Sequence, residues 1–564
     1  MTEPEANPRD DGRRHLPALN HRDRDPRPIS GSHVRSLGGH SLDPRTAQAV
    51  DGVTPRSTDY VGRRLVISAG QDRDDVLARL REAADPLGWQ VSLDDAYPCS
   101  RVAGAIDPAS TRTGEGHRHG CGCDGAPPLG LTRVVVSVRP GEAAPAPDGW
   151  TLLQHARARF GAEQFGGVGL DHLLKVTPVE HPNPYESSNP YESSNPYESS
   201  NPYESSNPYE SSNPVDGAGL ASYGRPGGGG RSPLAFIGGR PHRTPDSELP
   251  GRRPVVAILD TGCGAHPWLD GIVDTSVTLD GTPIGDTGRA NDPEVGGDHS
   301  GPFDGSLDPL SGHGTFICGV VHQVCPDADI VAWRVVSSSG TIVESDWVDA
   351  LVKIAELARR HAAGEPGGHP IDVLNLSMGY YHETPQDALF DPTLRGILDL
   401  LGECGVAVVC SVGNDATARE FYPAAFAPRS GDDQPRGPER VPVVSVGALN
   451  PDCDSVALFS NTGDWVRCYA PGAKVLSTMP AFQGGLEPVA RTTAHGLVRE
   501  SIDPDDFTGG FGVWSGTSFA APFVAGRLAG ALAGSLPPQG QPDPAGQRVA
   551  RARGAVRKVT GIGP

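Results

Sequence analysis

The chain has 564 residues, of which 37% are hydrophobic and 21% charged, and a formal net charge of -21. One hydrophobic core rarely serves that length, so two or more units are expected. The acidic balance excludes the basic face that nucleic-acid binding needs, and no apolar run is long enough to cross a membrane as a helix.

Residues 1 to 58 are polar, rich in Arg, Asp and Pro, and without periodicity, which predicts a disordered tail. The start of the chain has no apolar signal-peptide core, and Arg13-Arg14 precedes no hydrophobic stretch. With ten cysteines, this predicts a cytoplasmic protein with reduced thiols. Cys318, Cys404 and Cys410 lie in apolar runs, where a free cysteine acts as a small hydrophobe.

Residues 59 to 178 predict a small α+β unit. RRLVISAG and TRVVVSVRP are strand signals, and WTLLQHARARFG is a helix. DDVLARLREAADPLG is an amphipathic helix with Val76, Leu77, Leu80 and Ala83 on one face. LDHLLKVTPVE is expected to pass from helix to strand. Within this unit HRHGCGCDG offers His117, His119, Cys121 and Cys123, which are zinc-ligand types at spacings that match no familiar zinc pattern. A Gly-rich surface loop is the plainer reading.

A low-complexity linker follows over residues 179 to 250. It contains five tandem copies of NPYESS at 183 to 212, none with an aliphatic residue to bury. A spacer is the simplest role, and a docking motif or sacrificial substrate the sharper ones. As a coil the linker spans roughly 45 Å, so the unit before it can reach the last part of the chain without being fixed beside it.

In residues 251 to 564, VVAILD, DIVAWRVV, IDVLNLSM, VAVVCSVG and VPVVSVGA are near-continuous apolar strands, as in a parallel sheet buried on both faces. WVDALVKIAELARRHAA and PTLRGILDLLGECG are helices between them. The alternation predicts a three-layer α/β/α sandwich with a mainly parallel sheet.

Acyl transfer by a serine needs a hydroxyl, a histidine base, a carboxylate to orient the histidine, and donors for the oxyanion. Asp260 ends VVAILD, where α/β active sites form. His313 stands between Gly312 and Gly314 at the start of the helix TFICGVVHQV. Ser518 precedes an apolar helix whose N-terminus would supply N–H donors. Asn414 ends VAVVCSVGN with an amide able to donate. Taken singly, these are a turn Asp, a structural His, a helix cap and a turn Asn.

Together they resemble a family. DTGCGAHPWL, SGHGTFICGVV, LNLSMG, SVGND, FSNTGDWVRCYAPG and SGTSFAAPFVAG resemble, in order, the landmark segments of subtilisin-like serine peptidases. The order Asp, His, Ser is that of subtilisin among triad folds. The resemblance implies Ser518 as nucleophile, His313 as general acid/base, Asp260 as its orienter, and Asn414 with the Ser518 N–H as oxyanion hole. It implies that Ser377, Met378 and Gly379 pair with an extended substrate, that Ser339 and Gly340 form the opposite wall, and that Val412 and Gly413 floor the groove. No cofactor is implied as required. Calcium is common in the family, and the Asp-rich insertion between Asp260 and His313, DGTPIGDTGRANDPEVGGDHSGPFDGSLD, has suitable carboxylates without EF-hand spacing. That insertion is expected to be a surface loop. RVARARGAVRKVTG resembles the family's penultimate helix, which implies the expectation that the usual closing segment is missing or rewritten.

The expected function is therefore a serine endopeptidase of limited specificity that matures a protein or peptide. Its partners are that substrate and its own N-terminal unit in cis, with no nucleic acid and no membrane. The alternatives are a silent peptide-binding scaffold, or a protease that releases its repeat array as an interaction module.

Overall fold

The computed structural model describes residues 26, 29, 31–50, 52–98, 100–102, 128–176, 230–235, 238–300, 303, 305–338, 340–385, 392–429, 440–488 and 491–563. The NPYESS array, His117, His119, Cys121, Cys123 and Ser339 lie outside the described residues.

The N-terminal unit comprises α1 (Gly31–Ser36), β1 (Gly39–Leu42), β2 (Thr58–Ser68), α2 (Arg73–Ala84), β3 (Trp89–Leu93), β4 (Leu131–Val138), α3 (Gly149–Phe160) and β5 (Val168–Val176). Asp72 caps α2 by accepting from the Asp75 N–H, and Asp148 caps α3 by accepting from the Thr151 N–H. Leu77, Leu80, Leu152 and Leu153 pack these helices onto Leu65, Ile67 and Val134 of an antiparallel sheet. Two expectations are corrected here. The segment expected to be a disordered tail holds α1 and β1, because β1 finds a partner in β2 across Gly39 to Leu42. LDHLLKV is strand throughout, its backbone paired with β2 and then with the second unit, so tertiary pairing overrides its helical pattern.

The second unit is built on β6 (Val255–Asp260), β7 (Val273–Asp274), α4 (His313–Val324), β8 (Asp329–Arg334), β9 (Thr341–Val343), α5 (Glu344–Ala363), β10 (Val373–Leu376), β11 (Met378–Gly379), α6 (Pro392–Glu403), β12 (Ala407–Ser411), β13 (Val444–Leu449), β14 (Cys468–Pro471), α7 (Thr517–Leu532) and α8 (Ala545–Thr560). A seven-stranded sheet runs β14-β13-β12-β10-β6-β8-β7, and every pairing in it is parallel. All six residues of VVAILD are buried, as a central parallel strand requires. One face of the sheet packs on Trp347 and Leu351 of α5 and Leu394 of α6, the other on Phe316 of α4, Phe519 of α7 and Val556 of α8. The result is the expected α/β/α sandwich. The region expected to be linker also contributes to it, since the fully buried Arg231 donates to the carbonyls of Pro309 and Ser311. Among the described residues no helix is long and apolar enough to cross a membrane, and seven cysteines are free.

The two units share a core in which Val66, Tyr97, Leu131, Leu174 and Val176 pack with residues of α5 and α6. β5 belongs to the antiparallel sheet and carries its pairing on to two short strands of the second unit. Its first part pairs with β2, and its end lies between β9 and β11.

Candidate active site

A parallel sheet aligns the C-terminal ends of its strands, so side chains that follow β6, β10 and β12 meet along one edge. Asp260 is the last residue of β6, and α4 begins with His313. His313 Nδ1 lies 2.6 Å from Asp260 Oδ1, and both residues are fully buried. Asp260 Oδ1 also accepts from the Thr261 N–H at 2.8 Å. A proton on Nδ1 satisfies the carboxylate and leaves the lone pair on Nε2, the tautomer of a general base. His313 Nε2 is buried and has no hydrogen-bond partner among the described residues. Gly314 is required here, because an added Cβ would come within 2.0 Å of the Gly262 carbonyl oxygen.

Ser518 is the second residue of α7 and fully buried. Its hydroxyl donates to the Ser377 carbonyl at 3.4 Å, and the Ser377 hydroxyl donates back to the Ser518 carbonyl at 3.0 Å. Phe519, next in the chain, places its ring 5.3 Å from that of His313. Asn414 follows β12, and its Oδ1 accepts from the Thr517 N–H at 3.0 Å, which ties it to the N-terminus of α7. Gly413 has φ +93°, in the left-handed region, and an added Cβ would meet Asn461 Nδ2 at 2.6 Å. Asn461 Nδ2 donates to the Val412 carbonyl at 2.8 Å, so Val412 and Gly413 are held as one turn. Gly340 closes the opposite turn, donating to the Ser337 carbonyl at 2.9 Å with φ +78°.

Between these walls lies β5. Lys175 pairs with both Thr341 and Gly379, Leu174 with Ile342, and Val176 with Met378. Leu174 is fully buried, while the Lys175 ammonium lies 3.5 Å from Asp415 and 5.5 Å from the centre of the Tyr381 ring. The expectation that the N-terminal unit is tethered without being fixed is corrected: its last strand is seated in the groove.

A second buried histidine holds it there. His172 of β5 makes contacts of 2.6 Å from Nδ1 to Glu344 and 2.7 Å from Nε2 to Glu383, and stacks on Tyr380 at 4.6 Å. Burial alone would lower its pKa, but Glu344 and Glu383 outweigh burial and raise it well above the ordinary value. Burial would raise the pKa of Glu383, yet the histidines His382 and His172 hold it below the carboxylate range. His172, His382 and Glu383 are also spaced to share a metal ion. The two short His172 contacts are those of an imidazolium that donates from both nitrogens. Around the clamp, the Ser345 N–H donates to Asp171 at 3.0 Å and Tyr97 donates to the Ser345 carbonyl at 2.7 Å.

One residue of the site has no signal in the sequence. Glu294 lies in the Asp-rich insertion, where one acidic residue looks like the next. The insertion is only partly a surface loop, since Ile284, Glu294 and Leu307 are buried, and Glu294 reaches the residues that follow Asp260 and His313.

The chain is similar to several known proteins. The thermophilic serine proteinase of Bacillus sp. (strain AK1) is 27% identical over 284 residues, 48% of this chain and 50% of that protein. The intracellular serine protease of Paenibacillus polymyxa is 26% identical over 291 residues, 49% of this chain and 65% of that protein. The chain thus spans half to two thirds of the length of these curated relatives. A solved structure of a cold adapted subtilisin-like serine proteinase aligns with 54% of this chain and 82% of its own, at 22% identity and a TM-score of 0.33. Residues 251–543, more than half of the chain, match the model of the subtilase family of peptidases, and the chain belongs to that family.

Proposed function

We propose that the protein is a serine endopeptidase that hydrolyses peptide bonds through an acyl-enzyme on Ser518 and is held latent by its own N-terminal unit. His313 takes the Ser518 proton and returns it to the leaving amine, Asp260 orients the imidazole, and Asn414 with the Ser518 N–H holds the oxyanion. The observation that carries the reading is the 2.6 Å Asp260–His313 contact facing the N-terminus of the helix that bears Ser518. The Ser518 hydroxyl is turned to a carbonyl while β5 fills the groove, and catalytic hydrogen bonds commonly tighten only in the substrate complex.

A substrate takes the place of β5 as an extended strand between β9 and β11. The seated segment Leu174-Lys175-Val176 then describes what the groove accepts: buried apolar side chains on either side of a cation that meets Asp415. Such a preference makes the enzyme one of limited specificity, suited to maturing a protein or peptide in a cytoplasm. The test is intact-mass analysis of wild type beside Ser518→Ala, with and without an unfolded protein. Cleavage by wild type alone supports the reading. Equal cleavage by both variants assigns the nucleophile elsewhere.

The partnerless His313 Nε2 favours one second reading, a peptide-binding scaffold that does not cut. A serine-reactive phosphonate separates the two, since only a nucleophilic Ser518 gains its mass.

A further inference from the structure

The carboxylate of Glu294 is buried under the Asp260–His313 pair, and its hydrogen bonds go to the residues that follow those two in the chain. Oε1 accepts from the Thr261 hydroxyl at 2.5 Å and from the Gly314 N–H at 2.9 Å. Oε2 accepts from the Thr315 hydroxyl at 2.5 Å and, at 3.4 Å, from the Thr315 N–H. Thr261 follows Asp260, and Gly314 and Thr315 follow His313. The N–H groups belong to the first turn of α4, which has no side-chain cap at Gly312. An anion is favoured at a helix N-terminus, so the insertion supplies the acceptor that the helix lacks.

Thr261 carries the link to Asp260. Its hydroxyl oxygen accepts from the Gly314 N–H at 2.7 Å, and its one hydrogen has two acceptors in reach, Glu294 Oε1 at 2.5 Å and Asp260 Oδ1 at 3.2 Å. An ionised Glu294 draws that hydrogen. Asp260 Oδ1 then keeps only the Thr261 N–H besides the imidazole. A protonated Glu294 must itself donate to one of the threonine hydroxyls, and when it donates to Thr261 that hydroxyl turns to Asp260. There it competes with His313 for the same oxygen.

We propose that Glu294 is a positioning residue for the catalytic pair: it fixes Thr261 and the first turn of α4 to each other, and through the Thr261 hydroxyl it sets how strongly Asp260 holds His313. This rests on the peptidase reading of the site and goes beyond it. Burial raises the Glu294 pKa and the hydrogen bonds from Thr261, Thr315 and Gly314 lower it, leaving it at about 7. The switch therefore falls where a histidine base works. The charged or titratable groups facing Glu294 are Asp260 on β6, Arg334 at the end of β8 beside Gly262, Cys318 on α4, and Arg231 from the segment before the sheet.

The experiment measures kcat and KM on a short peptide between about pH 5 and 10, for full-length wild type, Glu294→Gln, Thr261→Val and the double variant. Rates are expressed per Ser518 titrated by a phosphonate. Glu294→Gln is expected to lower kcat about tenfold or more, the loss of hydrogen bonds to a charged group, with KM within about twofold. Its acid limb falls with the single protonation of the general base, whereas that of wild type falls more steeply with a second one at Glu294, and the double variant is no slower than the worse single one. Wild-type kcat and pH profile in Glu294→Gln overturn the proposal. So does a loss confined to the number of titratable serines, or single losses that multiply. If Glu294→Gln yields no folded protein, the Thr261→Val profile decides alone. A wild type that never labels at Ser518 fails the peptidase reading instead, and the proposal falls with it.

Discussion

Two buried histidines, one in each unit, lie against carboxylates, and they are built for different work. His313 commits Nδ1 to Asp260 and leaves Nε2 without a partner among the described residues. His172 commits both nitrogens, to Glu344 and to Glu383. A histidine with one nitrogen open can move a proton; one with both nitrogens held is a strut between two charges. The first belongs wholly to the peptidase unit. The second comes from the N-terminal unit and reaches across to the peptidase, so the strut is what breaks when the units part.

The largest effect should come from the reactive end. Ser518→Ala is expected to lower peptide hydrolysis about a million-fold, with β5 still protected from hydrogen exchange because the substitution leaves the clamp untouched. Loss of exchange protection in that variant would break the comparison. Asn414→Ala is expected to cost about a hundred- to a thousandfold in kcat, read in steady-state kinetics with KM little altered.

At the strut the expected signs reverse. His172→Ala takes from Glu344 the cation it shares with Glu383 and leaves Glu383 only His382, a change that costs roughly 3–5 kcal/mol when a buried pair is broken. Docking should weaken and peptide hydrolysis rise, the opposite of any change at His313. Lys175→Glu sets like charges together at Asp415, where both side chains are partly exposed, and should weaken docking by only about 1 kcal/mol. Limited proteolysis of the N-terminal unit ranks the two variants.

The strut also has a sign in pH. His172 has a pKa raised in the docked state, so its contribution is full below the ordinary histidine value of 6.5 and is lost as pH rises through the raised one. Glu383 has a depressed pKa, so its contribution is full above the ordinary 4.5 and is lost as pH falls through the depressed one. Docking should be firmest between those two ordinary values and should loosen toward alkaline pH. Asp171 on β5 faces the same interface with a pKa raised by burial to about 6, so its cost to docking builds from the ordinary 3.8 up to about 6 and moves the firmest docking toward the acid end of that window. The rate of peptide hydrolysis across pH tests this, and His172→Gln should flatten its alkaline rise.

The same contrast explains what was legible in the sequence. The peptidase unit announces itself because its chemistry is local. Asp260 ends a strand, Asn414 lies in the turn after one, and His313 and Ser518 stand in the first turn of a helix, inside short glycine-rich segments that parallel-sheet geometry makes hard to vary, such as Gly314 against the Gly262 carbonyl. The strands of that sheet read directly as apolar runs, because both faces are covered. His172, Glu344 and Glu383 carry no such pattern. They lie 172 and 211 residues apart along the chain, and only the pairing of β5 with β9 and β11 brings them together. The helical spacing of LDHLLKV hid that strand, since its apolar residues serve three different clusters at once: Leu170 one, Leu173 another, and Leu174 with Val176 a third. Glu294 was hidden by its neighbours: an acidic insertion gives no pattern that separates the buried carboxylates, Glu294 and Asp308, from the exposed ones.

The most direct test of the account is the rate at which a serine-reactive phosphonate labels Ser518 in the full-length wild type and in His172→Ala. The account predicts slow labelling of wild type, where β5 is paired between β9 and β11, and markedly faster labelling once the strut is removed. Equal rates in the two proteins, or no labelling of either, would contradict it.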